Sequence, residues 1–141
     1  MRIVVDTNVL VSSLLSPFGP PNAIRQLIAP GAVQVCYDVR ILQEYREVLT
    51  RPRFPFSEGD VQDVLSQIEA DGLLISTGPL AGRLPDPDDE PFLAVALTGH
   101  ARCLVTGNLR DFPSERRQGV LVVSPRRFLD LYQESEPSQE A

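Results

Sequence analysis

Carboxylates stand in this chain where apolar runs stop, and that placement suits divalent-cation or phosphoryl chemistry. Asp6 ends the unbroken apolar run Ile3-Val4-Val5 and is followed at once by the cap-forming pair Thr7-Asn8. It could simply cap the helix that follows, or present a carboxylate to a ligand. Glu44 lies in Asp38-Val-Arg-Ile-Leu-Gln-Glu-Tyr-Arg-Glu-Val-Leu49, where Ile41, Leu42, Tyr45, Val48 and Leu49 recur at helical spacing. At about 100° per residue, Glu44 falls about 100° from the centre of that stripe and Glu47 about 160° away. Glu47 therefore reads as a solvated acid. Glu44 sits on the border, either paired with an arginine or reaching a cleft. The segment Pro85-Asp-Pro-Asp-Asp-Glu-Pro91 sets Asp86, Asp88, Asp89 and Glu90 at the start of an apolar helix. A helix N-terminus favours negative charge, but like charges so close repel, and a divalent cation would relieve them. Thr106-Gly-Asn-Leu-Arg-Asp-Phe112 offers Asn108 or Asp111 as a further oxygen ligand, the plainer reading being turn chemistry.

These groups need elements to carry them. Ile3–Val5, Val33–Cys36, Arg102–Val105 and Val120–Val123 read as strands buried on both faces, with Leu73–Ile75 a short fifth candidate. Helices are predicted over 8–15, 22–28, 38–49, 58–70, 91–97 and 125–131, bounded by caps and prolines. Strands alternating with helices imply an α/β fold, a three-layer sandwich around a mostly parallel sheet of four to five strands. In such sheets ligands sit beyond the carboxyl ends of the strands, where Asp6 and Thr106–Asp111 are expected. The chain is long enough for one domain with a true core, assigned to 1–132. The polar, acidic residues 133–141 read as a tail.

Composition removes rival chemistries. All thirteen basic residues are arginine. Phospho-acceptor and phosphatase sites built on an aspartate at a sheet mouth use a lysine as a compact point charge, and arginine does not substitute freely. The phosphatase pattern also wants an acid where Asn8 stands. A P-loop and Schiff-base catalysis fail for want of the same lysine. No Gly-x-Ser-x-Gly occurs, and the only histidine, His100, follows Gly99 at a helix end, where a capping role suits it best. Cys36 and Cys103 fall in buried strands without metal-type spacing and read as core residues. The chain enters its first strand at residue 3 without a leader, and no apolar run approaches the length of a membrane span. A soluble, cytoplasmic protein is expected.

Asp6-Thr-Asn8, the helical Glu44, Asp89 at the head of an apolar helix, and Thr106-Gly-Asn-x-x-Asp-Phe112 together resemble the four signature segments of the PIN domain, in chain order and across nearly the whole chain. Pro85-Asp-Pro-Asp-Asp89 and Leu104-Val-Thr-Gly-Asn108 resemble the bacterial members described as toxin components of toxin–antitoxin systems. The resemblance implies an endoribonuclease dependent on one or two Mg²⁺ or Mn²⁺ ions. RNA would be the substrate, with a possible cognate antitoxin and self-association into a homodimer or larger oligomer. It assigns Asp6, Glu44, Asp89 and Asp111 as catalytic, metal-holding acids, with Glu44 either binding the ion directly or orienting a coordinated water. Asp88 and Glu90 stand in reserve for the third, because the acidic run permits a register slip. Thr7, Asn8, Thr106 and Asn108 are expected to orient the carboxylates. A catalytically silent RNA- or protein-binding module is the alternative.

The net charge of −6 sits awkwardly with a polyanionic substrate. The four site acids would supply about −4 of it, largely neutralised once divalent ions bind. Arg51, Arg53 and Arg110 are the candidates for holding the RNA backbone. Arg116 and Arg117 read as surface or partnered charges.

Overall fold

The computed structural model describes residues 1–135. Its order is β1 (Arg2–Val5), α1 (Thr7–Leu15), α2 (Pro20–Ile28), β2 (Gln34–Tyr37), α3 (Val39–Leu49), α4 (Glu58–Asp71), β3 (Leu73–Leu74), α5 (Glu90–Thr98), β4 (Cys103–Val105), β5 (Val122–Val123) and α6 (Pro125–Ser135). Single 3-10 turns cover Pro87–Asp89, Leu109–Asp111 and Ser114–Arg116. The sheet is wholly parallel, in the order β3-β2-β1-β4-β5. Ile3, Val4 and Val5 pair with Cys103, Leu104 and Val105, and all six are buried. This is why the central strands carry no polar alternation: both faces are covered. On one face α3, α4 and α5 pack against β2 and one another, and α5 also covers β1 and β4; on the other α2 lies between α1 and α6.

Strand order reverses at β1. The chain winds outward through β2 and β3, then returns to place β4 on the far side of β1. A crevice therefore opens between the loops that follow β1 and β4, the usual ligand position in open α/β sheets. Asp6 ends β1 and Thr106 ends β4, and the two loops are tied where Asp6 donates its N–H to the Val105 carbonyl at 2.9 Å.

Most element boundaries lie one or two residues from those read in the sequence, and the end of α6 lies four away. β5 is only Val122–Val123, because the edge position leaves Leu121 partly exposed beside a turn. α6 continues to Ser135, so residues 133–135 of the assigned tail are helical. Its remainder, 136–141, lies outside the described residues. His100 takes a left-handed conformation (φ 52°) directly after α5 and donates its N–H to Leu97 O. Gly99 precedes it because a Cβ there would sit 2.9 Å from Val95 O and 3.3 Å from Ile75.

Candidate metal centre

Asp6 is the N-cap of α1, held in extended backbone conformation (φ −65°, ψ 147°). Its carboxylate accepts the Thr7 N–H at 2.8 Å, the Thr106 hydroxyl at 2.8 Å and the Asn8 amide at 3.3 Å. The capping and the chemical readings of Asp6 thus coexist in one side chain: Oδ1 serves the helix, while Oδ2 is fixed by Thr106 and Asn8. Asn8 is fixed in turn, since its Oδ1 accepts the Gly107 N–H at 2.9 Å. A side chain at position 107 would crowd that contact, a Cβ lying 3.2 Å from Asn8 Oδ1. Thr106 Oγ1 also accepts the Asn108 N–H at 3.0 Å. Asn108 donates its side-chain amide to Asp111 at 3.2 Å.

Asp89 arrives from the other side. Asp86 turns the chain by accepting the Asp88 N–H at 2.9 Å, and Pro91 opens α5 where its missing N–H is harmless. Asp89 itself makes no capping hydrogen bond. Its carboxylate joins those of Asp6 and Asp111, with one oxygen from each lying within 4.8 Å of the others. Asp6 is buried and the other two are partly exposed.

Glu44 is not one of the three acids whose oxygens lie within 4.8 Å of one another, but it stands close by, its charge bearing on Asp89 and that of Asp6 bearing on it. Its carboxylate accepts the Thr7 hydroxyl. Thr7 thereby links two acids, Asp6 through its N–H and Glu44 through its side chain. Of the reserve acids, Asp88 is exposed. Glu90 is committed elsewhere, accepting the Leu84 N–H at 3.1 Å and facing Arg83 at 3.4 Å. Asp89 is the acid of this run that joins the cluster.

Crowding shows in the protonation of these groups. Burial, then the charges of Asp6 and Asp111, push the Asp89 carboxyl up to about 7. Asp6 is raised as well, chiefly by burial, against the lowering pull of its hydrogen bonds from Thr106 and Thr7. Glu44 is raised by burial, with Thr7 opposing and Asp6 and Asp88 adding to the shift. The charged groups bearing most on Asp89 are all acids: Asp6, Asp111, Asp86 and Glu44. Three clustered oxygen donors without a balancing cation fit a hard divalent ion.

The arginines are dispersed. Arg51 faces Glu47 at 3.7 Å, Arg53 lies over the Phe54 ring, and Arg110 is exposed beside Asp111. Arg116 and Arg117 donate to the backbone carbonyls of Arg83 and Phe112, which makes them struts of the loops around the site. Sequence reasoning missed Tyr45 as a site-positioning residue. Its spacing makes it one apolar member of a stripe, yet its hydroxyl donates to Val5 O, anchoring the strand immediately before Asp6. A tyrosine adjacent to a candidate acid was the available signal, since a buried phenol needs a partner.

Comparison with known proteins agrees with this geometry. Residues 2–110 match the model of the PIN domain, a span that holds Asp6, Glu44 and Asp89 and stops one residue short of Asp111. The chain is also 24% identical over 145 residues to the uncharacterized protein MJ1680 of Methanocaldococcus jannaschii, covering 94% of this chain and 92% of that one. Fold, family match and acid cluster lead to one conclusion: the chain belongs to the PIN domain family, whose members are generally nucleases.

Proposed function

We propose that the protein is a Mg²⁺- or Mn²⁺-dependent endoribonuclease that hydrolyses RNA phosphodiester bonds. The observation that carries this reading is the convergence of Asp6, Asp89 and Asp111 from three separate loops, with one carboxylate oxygen of each within 4.8 Å of the others. Asp6, Asp89 and Asp111 would hold the cation, with Asp6 oriented by Thr106 and Asn8, and Asp111 by Asn108. When bound, such an ion activates water, orients the scissile phosphate and neutralises charge on the leaving oxygen. Glu44, one hydroxyl away through Thr7, would accept the proton of an attacking water, a task its raised proton affinity suits. Its separation from the cluster favours this role over that of a fourth ligand.

The toxin half of a toxin–antitoxin pair is the biological setting we infer, on the resemblance carried by Pro85–Asp89 and Leu104–Asn108. Inducing the protein alone should then arrest growth of its host, and Asp6→Asn should not. The enzymatic reading is tested with isolated protein and single-stranded RNA. Cleavage should require Mg²⁺ or Mn²⁺, stop on chelation and vanish in Asp6→Asn. Cleavage that persists at full rate in that variant would sink the assignment.

A further inference from the structure

The turn joining α3 to α4 has the composition Arg51-Pro-Arg-Phe-Pro-Phe56, and its side chains form an ordered stack. The rings of Phe54 and Phe56 lie 5.0 Å apart between centroids and only 10° from parallel. The Arg53 guanidinium stands over the Phe54 ring, 4.9 Å from its centroid. Phe56 is the anchored ring, packed partly against the core; Arg53 is exposed. Beside the stack is a cavity of about 360 Å³, lined by the apolar Leu49, Phe54, Phe56 and Val61 and by the charged Arg51 and Glu58. A loop needed only to join two helices does not require an exposed guanidinium over one ring of an aromatic pair.

Its position connects it to the acids. Glu44 and Glu47 share one side of α3 at three-residue spacing, and Arg51, two residues past the end of that helix, faces Glu47 at 3.7 Å. From Glu44 the helix ends five residues later at Leu49, a rise of about 7.5 Å. A single strand crossing the acid cluster past Glu44 would meet the turn next.

We propose that Arg51–Phe56 is a stacking platform for single-stranded RNA, with a base laid on the Arg53–Phe54 pair and a phosphate held by Arg51. This rests on the ribonuclease reading and specifies the path of its substrate. Unpaired bases characteristically stack on aromatic rings and arginine planes, with little dependence on sequence. The acidity of the rest of the chain makes such a foothold valuable, because backbone attraction alone is weak here.

The test uses the full chain in chelator at low ionic strength, with a short single-stranded oligoribonucleotide carrying 2-aminopurine, whose fluorescence changes on stacking. Wild type should quench the probe; Arg53→Lys, which keeps the charge but loses the plane, and Phe54→Leu, which keeps apolar bulk, should lose the quenching. Each should weaken binding about fivefold or more and, with Mn²⁺ present, raise KM more than they lower kcat. Equal quenching and KM in wild type and both variants would overturn the platform, as would no quenching by wild type. Cleavage that proceeds without any dependence on Arg53 and Phe54 leaves the nuclease standing and removes only this path. A quenching response that both variants lose, in a protein that cleaves nothing with either metal, supports the platform and removes the nuclease.

Discussion

Asp89 differs from its neighbours in what holds it. Asp6 is fixed by three donors and Asp111 by the Asn108 amide, whereas Asp89 has no capping partner and its carboxyl is pushed up to about 7. Asp89→Asn should therefore remove repulsion at little structural cost, raising metal-free stability at pH 8 by about 1–2 kcal/mol once the screening of a half-exposed carboxyl is allowed for. Thermal melts in chelator check this; a drop in melting temperature would mean Asp89 has a structural bond that outweighs its charge. The same variant should lose most of the stabilisation conferred by Mn²⁺. Asp6→Asn is a less clean probe of repulsion, because an amide nitrogen in place of Oδ2 would face the Asn8 amide. Glu44→Gln should retain Mn²⁺ affinity by calorimetry while cleaving at least about tenfold more slowly. Lost metal affinity in that variant would return Glu44 to the ligand set.

At the scale of elements, the site depends on β1 and β4 ending side by side. Thr106 is the buried tie, donating to Asp6 and accepting from Asn108. Thr106→Val keeps the shape and strands both partners, so it should cost about 1–3 kcal/mol and weaken Mn²⁺ binding by about 10–100-fold. Unchanged affinity on titration would show that Asp6 needs no such support. The strands and helices that carry these residues were legible because their signals are local: the apolar runs at Ile3–Val5 and Cys103–Val105, the cap at Asp38, the proline at position 91. The exact members of the cluster were less so. Asp88, Asp89 and Glu90 are adjacent in sequence, and only the 3-10 turn Pro87–Asp89 and the capture of Glu90 by Leu84 and Arg83 separate their directions. Glu44's helical position was likewise readable, but its partner Thr7 comes from 37 residues away, a contact that no periodicity encodes.

For the molecule as a whole, crowded acids link stability to pH and to metal. Asp89 in the folded protein holds its proton up to about 7, against an ordinary value of 3.8, so between those limits the folded state binds more protons than the unfolded one. Metal-free stability should accordingly fall as pH rises from about 5 to 7, and recover on acidification within that window. Saturating Mn²⁺, bound only by the folded state, should flatten the profile and raise the melting temperature. A metal-free profile that rises with pH over this range would show that paired carboxylates elsewhere dominate. All these expectations share one premise, that Asp6, Asp89 and Asp111 jointly hold a divalent cation. Crystals soaked in Mn²⁺ and measured for anomalous scattering test it most directly: a peak should stand between those three carboxylates, with Glu44 beside it rather than bound. No peak there at saturating Mn²⁺, or a peak held by other residues, would contradict the account.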